Sequence, residues 1–170
     1  LTLDPKVDAV LTGGDDGRVV RTCVDGTSEE LLAVKERWIE GVAAHRGSGA
    51  IAAIAGREVH LVGGAAPRAL GPHPSTVADV SFSPDGSLLA TLCPPAPGSN
   101  QERLRLWETR TGRLRPTLSP YAPGGWALAF APDGRSLFVA GVEGIREWAL
   151  DAPRARRLVP EVGGLTPFCY

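Results

Sequence analysis

Two stretches of the chain are near copies of each other: SFSPDGSLLATL at residues 81–92 and AFAPDGRSLFVA at residues 129–140, 48 positions further on. Each is an apolar run, a Pro-Asp-Gly turn and a second apolar run. Proline holds φ where the second position of a turn needs it, aspartate bonds its own backbone, and glycine accepts a positive φ. Pro84, Asp85 and Gly86 in the first copy, and Pro132, Asp133 and Gly134 in the second, therefore read as hairpin turns rather than as sites of carboxylate chemistry. A chain that writes the same hairpin at a fixed interval builds one small unit several times, and such units become stable by stacking on their neighbours.

The flanks of the two turns also correspond. Val77, Val80 and Phe82 precede the first, Leu88 and Leu89 follow it, and RLRLWETRTGRL comes next at 103–114; the second has Trp126, Leu128 and Phe130, then Leu137 and Val139, then IREWALDAPRARRL at 145–158. Each copy reads as strand, tight turn, strand, turn, strand carrying Trp, turn and short strand. Weaker copies lie upstream, with an Asp-Asp-Gly turn at 15–17 and further turns near Gly47 and Gly56. With 21 Gly and 15 Pro the chain is interrupted too often for long helices. SEELLAVKERWIE, residues 28–40, can be read at helical spacing, but the repeat favours two strands and a turn. Four copies in 170 residues average about 42 each, the period expected of a four-stranded propeller blade. The expected boundaries are 1–34, 35–72, 73–120 and 121–160, with 161–170 opening a further blade.

The copy HPSTVADVSFSPDGSLLATL with RLRLWETRTGRL closely resembles the WD40 repeat. That family runs from a His through a Val-x-x-Val-x-Phe-Ser-Pro-Asp-Gly strand and turn to a strand ending in Trp-Asp. The resemblance is strongest over residues 73–150; residues 1–72 match by period and turn chemistry. It implies an all-β fold, a WD40-type β-propeller of about four four-stranded antiparallel blades. Since such rings have seven or eight blades, the rest would come from a longer chain or from a second copy in a homodimer. The family's buried hydrogen-bonded tetrad falls on His73, Thr91 and Trp107, with Asn100 or Gln101 where the family has Asp. Tyr121 aligns with His73, Trp148 is kept but followed by Ala149, and Thr22-Cys23 replaces Trp-Asp in the first copy. The loop 94–102 replaces a short Asp-Gly turn.

Stacked blades bury apolar faces, each large side chain contributing roughly 1.5–3 kcal/mol. The interblade layer is expected to hold Val80, Phe82, Leu88, Leu104 and Leu106 of one blade against Leu128, Phe130, Leu137 and Ile145 of the next.

Composition narrows the function. With 18 basic and 19 acidic residues the net charge is −1, so no basic field draws a phosphate backbone, and nucleic acid is not expected as a partner. The longest apolar runs fall short of the roughly 20 residues of a membrane span, so no membrane role is expected. Cys23, Cys93 and Cys169 lack disulfide or zinc spacing and read as reduced thiols of a cytoplasmic protein. The bias to Arg over Lys, with much Ala, Gly and Pro, suggests a bacterial source, and a chain without Met that opens at Leu1 leads us to expect a segment of something longer. His45, His60 and His73 have neither metal-ligand spacing nor acidic partners, and GGDDG at 13–17 reads as a hairpin turn. No metal and no cofactor are expected.

The resemblance implies a non-catalytic scaffold that presents loops and one end of its channel to a protein or peptide partner. Arg37, Trp38, Tyr121 and Trp126, near the starts of innermost strands, are the candidate partner contacts, since exposed aromatics and arginines anchor interfaces. The competing readings are a half-propeller built for self-assembly and a propeller hydrolase with a channel metal. The hydrolase would need Asp4, Asp8, Glu40 and Asp79 to converge.

Overall fold

A computed structural model describes residues 1–4, 7–63, 66–94, 104–116, 125–141 and 144–151, together with the backbone of a strand at 155–159. Among them there is no helix, so none is long and apolar enough to cross a membrane. The chain is all-β, four antiparallel sheets of four strands each, and every sheet is ordered as its strands follow in sequence. The first holds β1 (Thr2–Asp4), β2 (Ala9–Gly13), β3 (Arg18–Cys23) and β4 (Ser28–Ala33). The second holds β5 (Gly41–Ala44), β6 (Ile51–Ala55), β7 (Glu58–Val62) and β8 (Arg68–Leu70). The third holds β9 (Asp79–Phe82), β10 (Leu88–Leu92), β11 (Leu104–Glu108) and β12 (Leu114–Arg115). The fourth holds β13 (Gly125–Phe130), β14 (Ser136–Gly141), β15 (Gly144–Ala149) and β16 (Ala155–Val159).

The first strands touch in succession, β1 on β5, β5 on β9 and β9 on β13, which arrays the sheets about an inner edge as propeller blades. Three apolar clusters fill the gaps. Val19 and Leu32 meet Ala53 and Ala55 between the first and second blades. Ile54, Val59 and Leu61 meet Val80, Leu89 and Trp107 between the second and third. Leu92, Leu104 and Leu106 meet Leu128, Leu137 and Trp148 between the third and fourth.

Burial along the second strands separates the middle blades from the end ones. Every residue of β6 and of β10 is buried, as an apolar run covered on both faces should be. In β2 and β14 burial alternates instead. The uncovered side of the first blade presents Leu3, 71% exposed, and that of the fourth presents Ile145, 39% exposed.

The register corrects the expected interblade layer. Leu89 lies opposite both Phe82 and Trp107, and Thr91 opposite both Val80 and Arg105, so these six share one face of the third blade, and it is turned to the second blade. Leu104 and Leu106 lie opposite Leu92 and Ala90 on the other face, turned to the fourth blade. Val80 and Phe82 therefore do not belong in a layer with Leu104 and Leu106, and Ile145 points away from the third blade altogether.

The stretch 28–40 is a strand followed by a turn, with Glu36 at φ 56°, but the next strand begins only at Gly41. The expected second strand is absent because Ile39 donates its N–H to Gly14 O (3.0 Å) and sinks against Val19 and Leu32, which draws residues 37–40 across the gap between blades.

Both Pro-Asp-Gly segments are tight turns. Gly86 N–H bonds Ser83 O at 2.8 Å and Gly134 N–H bonds Ala131 O at 2.9 Å, each glycine having φ 70°. Asp85 Oδ1 accepts from Ser83 Oγ (2.5 Å) and from Ser87 N–H (3.0 Å), and Asp133 Oδ1 accepts from Arg135 N–H (2.9 Å). The hydroxyls and N–H around Asp85 lower its pKa to about 2, as a turn-locking carboxylate should behave. GGDDG is likewise the β2–β3 turn, with Gly17 N–H on Gly14 O and Arg18 N–H on Asp16 Oδ1.

Candidate functional site

A buried hydrogen-bonded polar group lies inside the third blade, where an apolar face would otherwise be continuous. His73 and Thr91 are fully buried and Trp107 nearly so. The His73 ring sits 5.6 Å from that of Trp107, centroid to centroid. Trp107 Nε1–H donates to Thr91 Oγ1 at 3.0 Å, and Thr91 Oγ1 lies 2.8 Å from His73 Nε2. His73 Nδ1 is 2.9 Å from Arg57 O, which can only accept, so Nδ1 carries the proton and Nε2 accepts the threonine's. The relay thus runs from the indole through the hydroxyl and imidazole to a carbonyl of the second blade, with each buried atom satisfied. Arg57 Nε returns a bond to His73 O at 2.6 Å. Burial, the largest influence, holds the imidazole below the usual histidine range, which suits the neutral form the relay needs. Asn100 and Gln101, proposed for a fourth member, and most of the loop 94–102 lie outside the described residues.

Residues 66–108, the stretch that builds this relay, match the family model "WD domain, G-beta repeat". This stretch of the chain is a WD40 repeat. No curated protein matches the chain significantly. The match runs from β8 of the second blade through β11 of the third, and register shows how the other blades depart from the third. In the fourth blade Leu137 pairs with Trp148 as Leu89 pairs with Trp107, so Val139 takes the place of Thr91. In the second blade the same positions hold Ala53 and Val62, and in the first blade Thr12 and Thr22. Only the WD40 repeat of the third blade has threonine and tryptophan together.

Other polar contacts tie blade to blade, and sequence reasoning did not find them. His45, considered before only as a metal ligand, sits on the β5–β6 hairpin. Its Nδ1 accepts Ser48 N–H at 3.1 Å, so Nε2 carries the proton and donates to Pro84 O, 3.0 Å away in the next blade's Pro-Asp-Gly turn. Asp79 Oδ2 accepts Leu128 N–H at 2.7 Å, beside the register shift at Gly125 and Ala127, and Oδ1 accepts Val80 N–H at 2.8 Å. Burial raises the Asp79 pKa against those two bonds. The HRGSG hairpin was the only sequence signal for the first of these, and the acceptor 39 residues away gave none.

Three of the four acids named for a channel hydrolase, Asp4, Glu40 and Asp79, are each engaged by a different group. Buried Asp4 is paired with Arg21 at 2.7 Å, Glu40 accepts Gly56 N–H at 2.7 Å, and Asp79 holds Leu128. Among the described residues no three His, Cys, Asp or Glu are grouped to hold a metal.

Of the candidate partner contacts, Trp38 is 66% exposed and follows exposed Arg37; Trp126, on β13, is 39% exposed. Arg37 and Trp38 precede β5 rather than beginning it. Both tryptophans stand where the chain enters an innermost strand, and among the described residues no ring contact joins them. Tyr121 lies outside the described residues, as do 161–170 and the side chains of the Arg-rich strand β16.

Proposed function

We propose that this WD40-repeat chain is a non-catalytic scaffold, working in the bacterial cytoplasm, that engages a protein or peptide partner with the end of the propeller where the innermost strands begin. WD40 domains in general mediate protein–protein interactions and are non-catalytic. The observation that carries the assignment to this end is Trp38: an indole two-thirds exposed and next to an exposed arginine contributes little to its own fold and much to an interface. Trp126 at the entry to β13 supplies a second apolar anchor. The test compares proteins captured from a bacterial lysate by the wild-type chain and by a Trp38→Ala/Trp126→Ala variant of unchanged melting temperature. Loss of specific captured proteins supports the reading, and an identical set rejects it.

The two uncovered blade faces favour a second, compatible reading, in which further blades of a longer chain or a second copy complete a ring of seven or eight. Leu3 and Ile145 mark those faces. Mass in solution distinguishes a dimer from a monomer, and a compact, soluble monomer with both faces exposed would exclude self-assembly.

A further inference from the structure

On the turn side of the molecule, the second and third blades part to leave a cleft of about 880 Å³ that takes no part in the relay or the channel end, although Leu61 in its lining also packs in the cluster between these blades. Leu61, Val62, Pro67 and Leu88 form its apolar surface. Arg68, Arg110 and Arg115 stand around it with the hydroxyls of Ser48, Ser87 and Thr109. We infer that this cleft is a docking site for a short linear peptide carrying an aliphatic side chain beside a carboxylate.

Charge is the first argument. Three arginines face two acids, and both acids are already engaged: Asp85 by Ser83 and Ser87, Glu108 by Thr111 Oγ1 at 2.8 Å. Arg68 spends one N–H on Arg110 O at 3.1 Å, which fixes its guanidinium across the mouth of the cleft. Arg115 holds Glu108 only at 3.7 Å in an exposed pair, a contact of small worth that a ligand carboxylate can replace. The exposed Arg110 side chain has no bond to any described residue. A carboxylate entering here meets guanidinium groups arranged for forked hydrogen bonds.

The second argument is an unmet polar atom. Thr109 Oγ1 is buried without a hydrogen-bond partner, although its backbone N–H is bound to Ser87 O at 2.9 Å. A buried hydroxyl left unpaired costs free energy, and a peptide N–H or carbonyl laid along the cleft would meet it.

The shape of the lining decides between ligand classes. No aromatic side chain lines the cleft, so a nucleobase has no ring to stack on, and the engaged acids leave nothing to hold a cation. Aliphatic surface below and arginine above fit a side chain and a carboxylate on adjacent residues of an extended segment.

The test is selection of a phage-displayed library of random linear peptides on the full chain, followed by fluorescence anisotropy with the enriched peptides. Enrichment of Asp or Glu next to Leu, Ile or Val is expected. Binding of those peptides should weaken about tenfold or more in Arg110→Glu, be reduced in Thr109→Val, weaken with added salt, and persist in Arg135→Glu, an exposed arginine on another blade. Arg110 and Arg135 are both exposed, so melting temperatures should stay with the wild type and loss of folding will not mimic loss of binding. Failure to enrich any peptide, enrichment of neutral or basic sequences, or binding indifferent to Arg110→Glu would each overturn the proposal. Because Trp38 and Trp126 line no part of the cleft, their double variant should bind the peptides normally, which keeps this outcome separate from the partner reading above.

Discussion

Val139 occupies in the fourth blade the position that Thr91 occupies in the third, two residues beyond the pairing of Leu137 with Trp148. Its methyl group cannot accept a hydrogen bond, and Trp148 Nε1 is buried without a partner, whereas Trp107 Nε1 has the threonine. The same substitution should therefore act differently in two neighbouring blades. Trp107→Phe removes a donor from a satisfied relay and should cost about 1–3 kcal/mol beyond the loss of ring area. Trp148→Phe removes an unsatisfied N–H with the same ring area and should cost clearly less. Urea denaturation of the two variants beside the wild type measures the difference; equal losses would mean that the Thr91 bond contributes nothing to stability.

That contrast also marks what could be read from residues alone. The blades were legible because turn chemistry and apolar alternation are local: Pro84-Asp85-Gly86 and Pro132-Asp133-Gly134 announce their hairpins without help from distant residues. His73, Thr91 and Trp107 were legible as a group only through resemblance, since nothing in their spacing of 18 and 16 residues suggests hydrogen bonds. The direction each strand face looks was not legible. A shift of one residue in pairing turns every side chain to the opposite face, and Val80 and Phe82 were accordingly assigned to the wrong neighbour. The links from His45 to Pro84 and from Asp79 to Leu128 join different blades, and no pattern within one repeat encodes them.

The neutral imidazole of His73 makes stability depend on pH. Its folded pKa is lowered by burial relative to the ordinary 6.5, so between the two values the unfolded chain binds the extra proton. Stability from this group is complete above about pH 6.5 and is lost as pH falls toward the folded value. His60, also lowered by burial, acts in the same direction. His73→Gln should be less stable than wild type at pH 7.5 and should lose less on acidification to pH 5, leaving the His60 contribution. Denaturant midpoints at several pH values test this, and parallel curves for the two proteins would reject it.

Gly86 and Gly134 share φ 70° but not their surroundings. A Cβ at Gly86 would collide with the His45 ring, whereas at Gly134 the nearest atom is Pro84 Cδ at 3.5 Å, an ordinary contact. Gly134→Ala should carry only the cost of a left-handed alanine, about 1–2 kcal/mol. Gly86→Ala adds displacement of His45 from Pro84 O and should lower the melting temperature further. His45→Ala would open the space, so in the His45→Ala background the additional loss caused by Gly86→Ala should shrink toward that of Gly134→Ala. A double-mutant cycle by thermal denaturation reads this directly, and additive losses would show that the ring is not the obstacle.

Asp79 is a half-buried carboxylate whose bond reaches the backbone of the next blade's first strand, and burial and hydrogen bonding pull on its pKa in opposite directions. Burial raises its pKa while the N–H groups of Leu128 and Val80 favour the ionised form. With the folded pKa above 3.8, the folded chain binds more protons than the unfolded one as pH rises through that window, and the Asp79 contribution to stability declines there. Asp79→Asn keeps an acceptor for Leu128 N–H and removes the buried charge, so its stability at neutral pH should lie within about 1 kcal/mol of wild type. Its stability should also lack that decline. Asp79→Ala leaves the Leu128 N–H unpaired beside the β13 register shift and should cost about 1–3 kcal/mol at neutral pH. Hydrogen exchange at Leu128 separates the two: protection retained in the asparagine variant and lost in the alanine variant places the effect on that single bond, because neither change alters the apolar packing of Leu128 against Leu137 and Trp148.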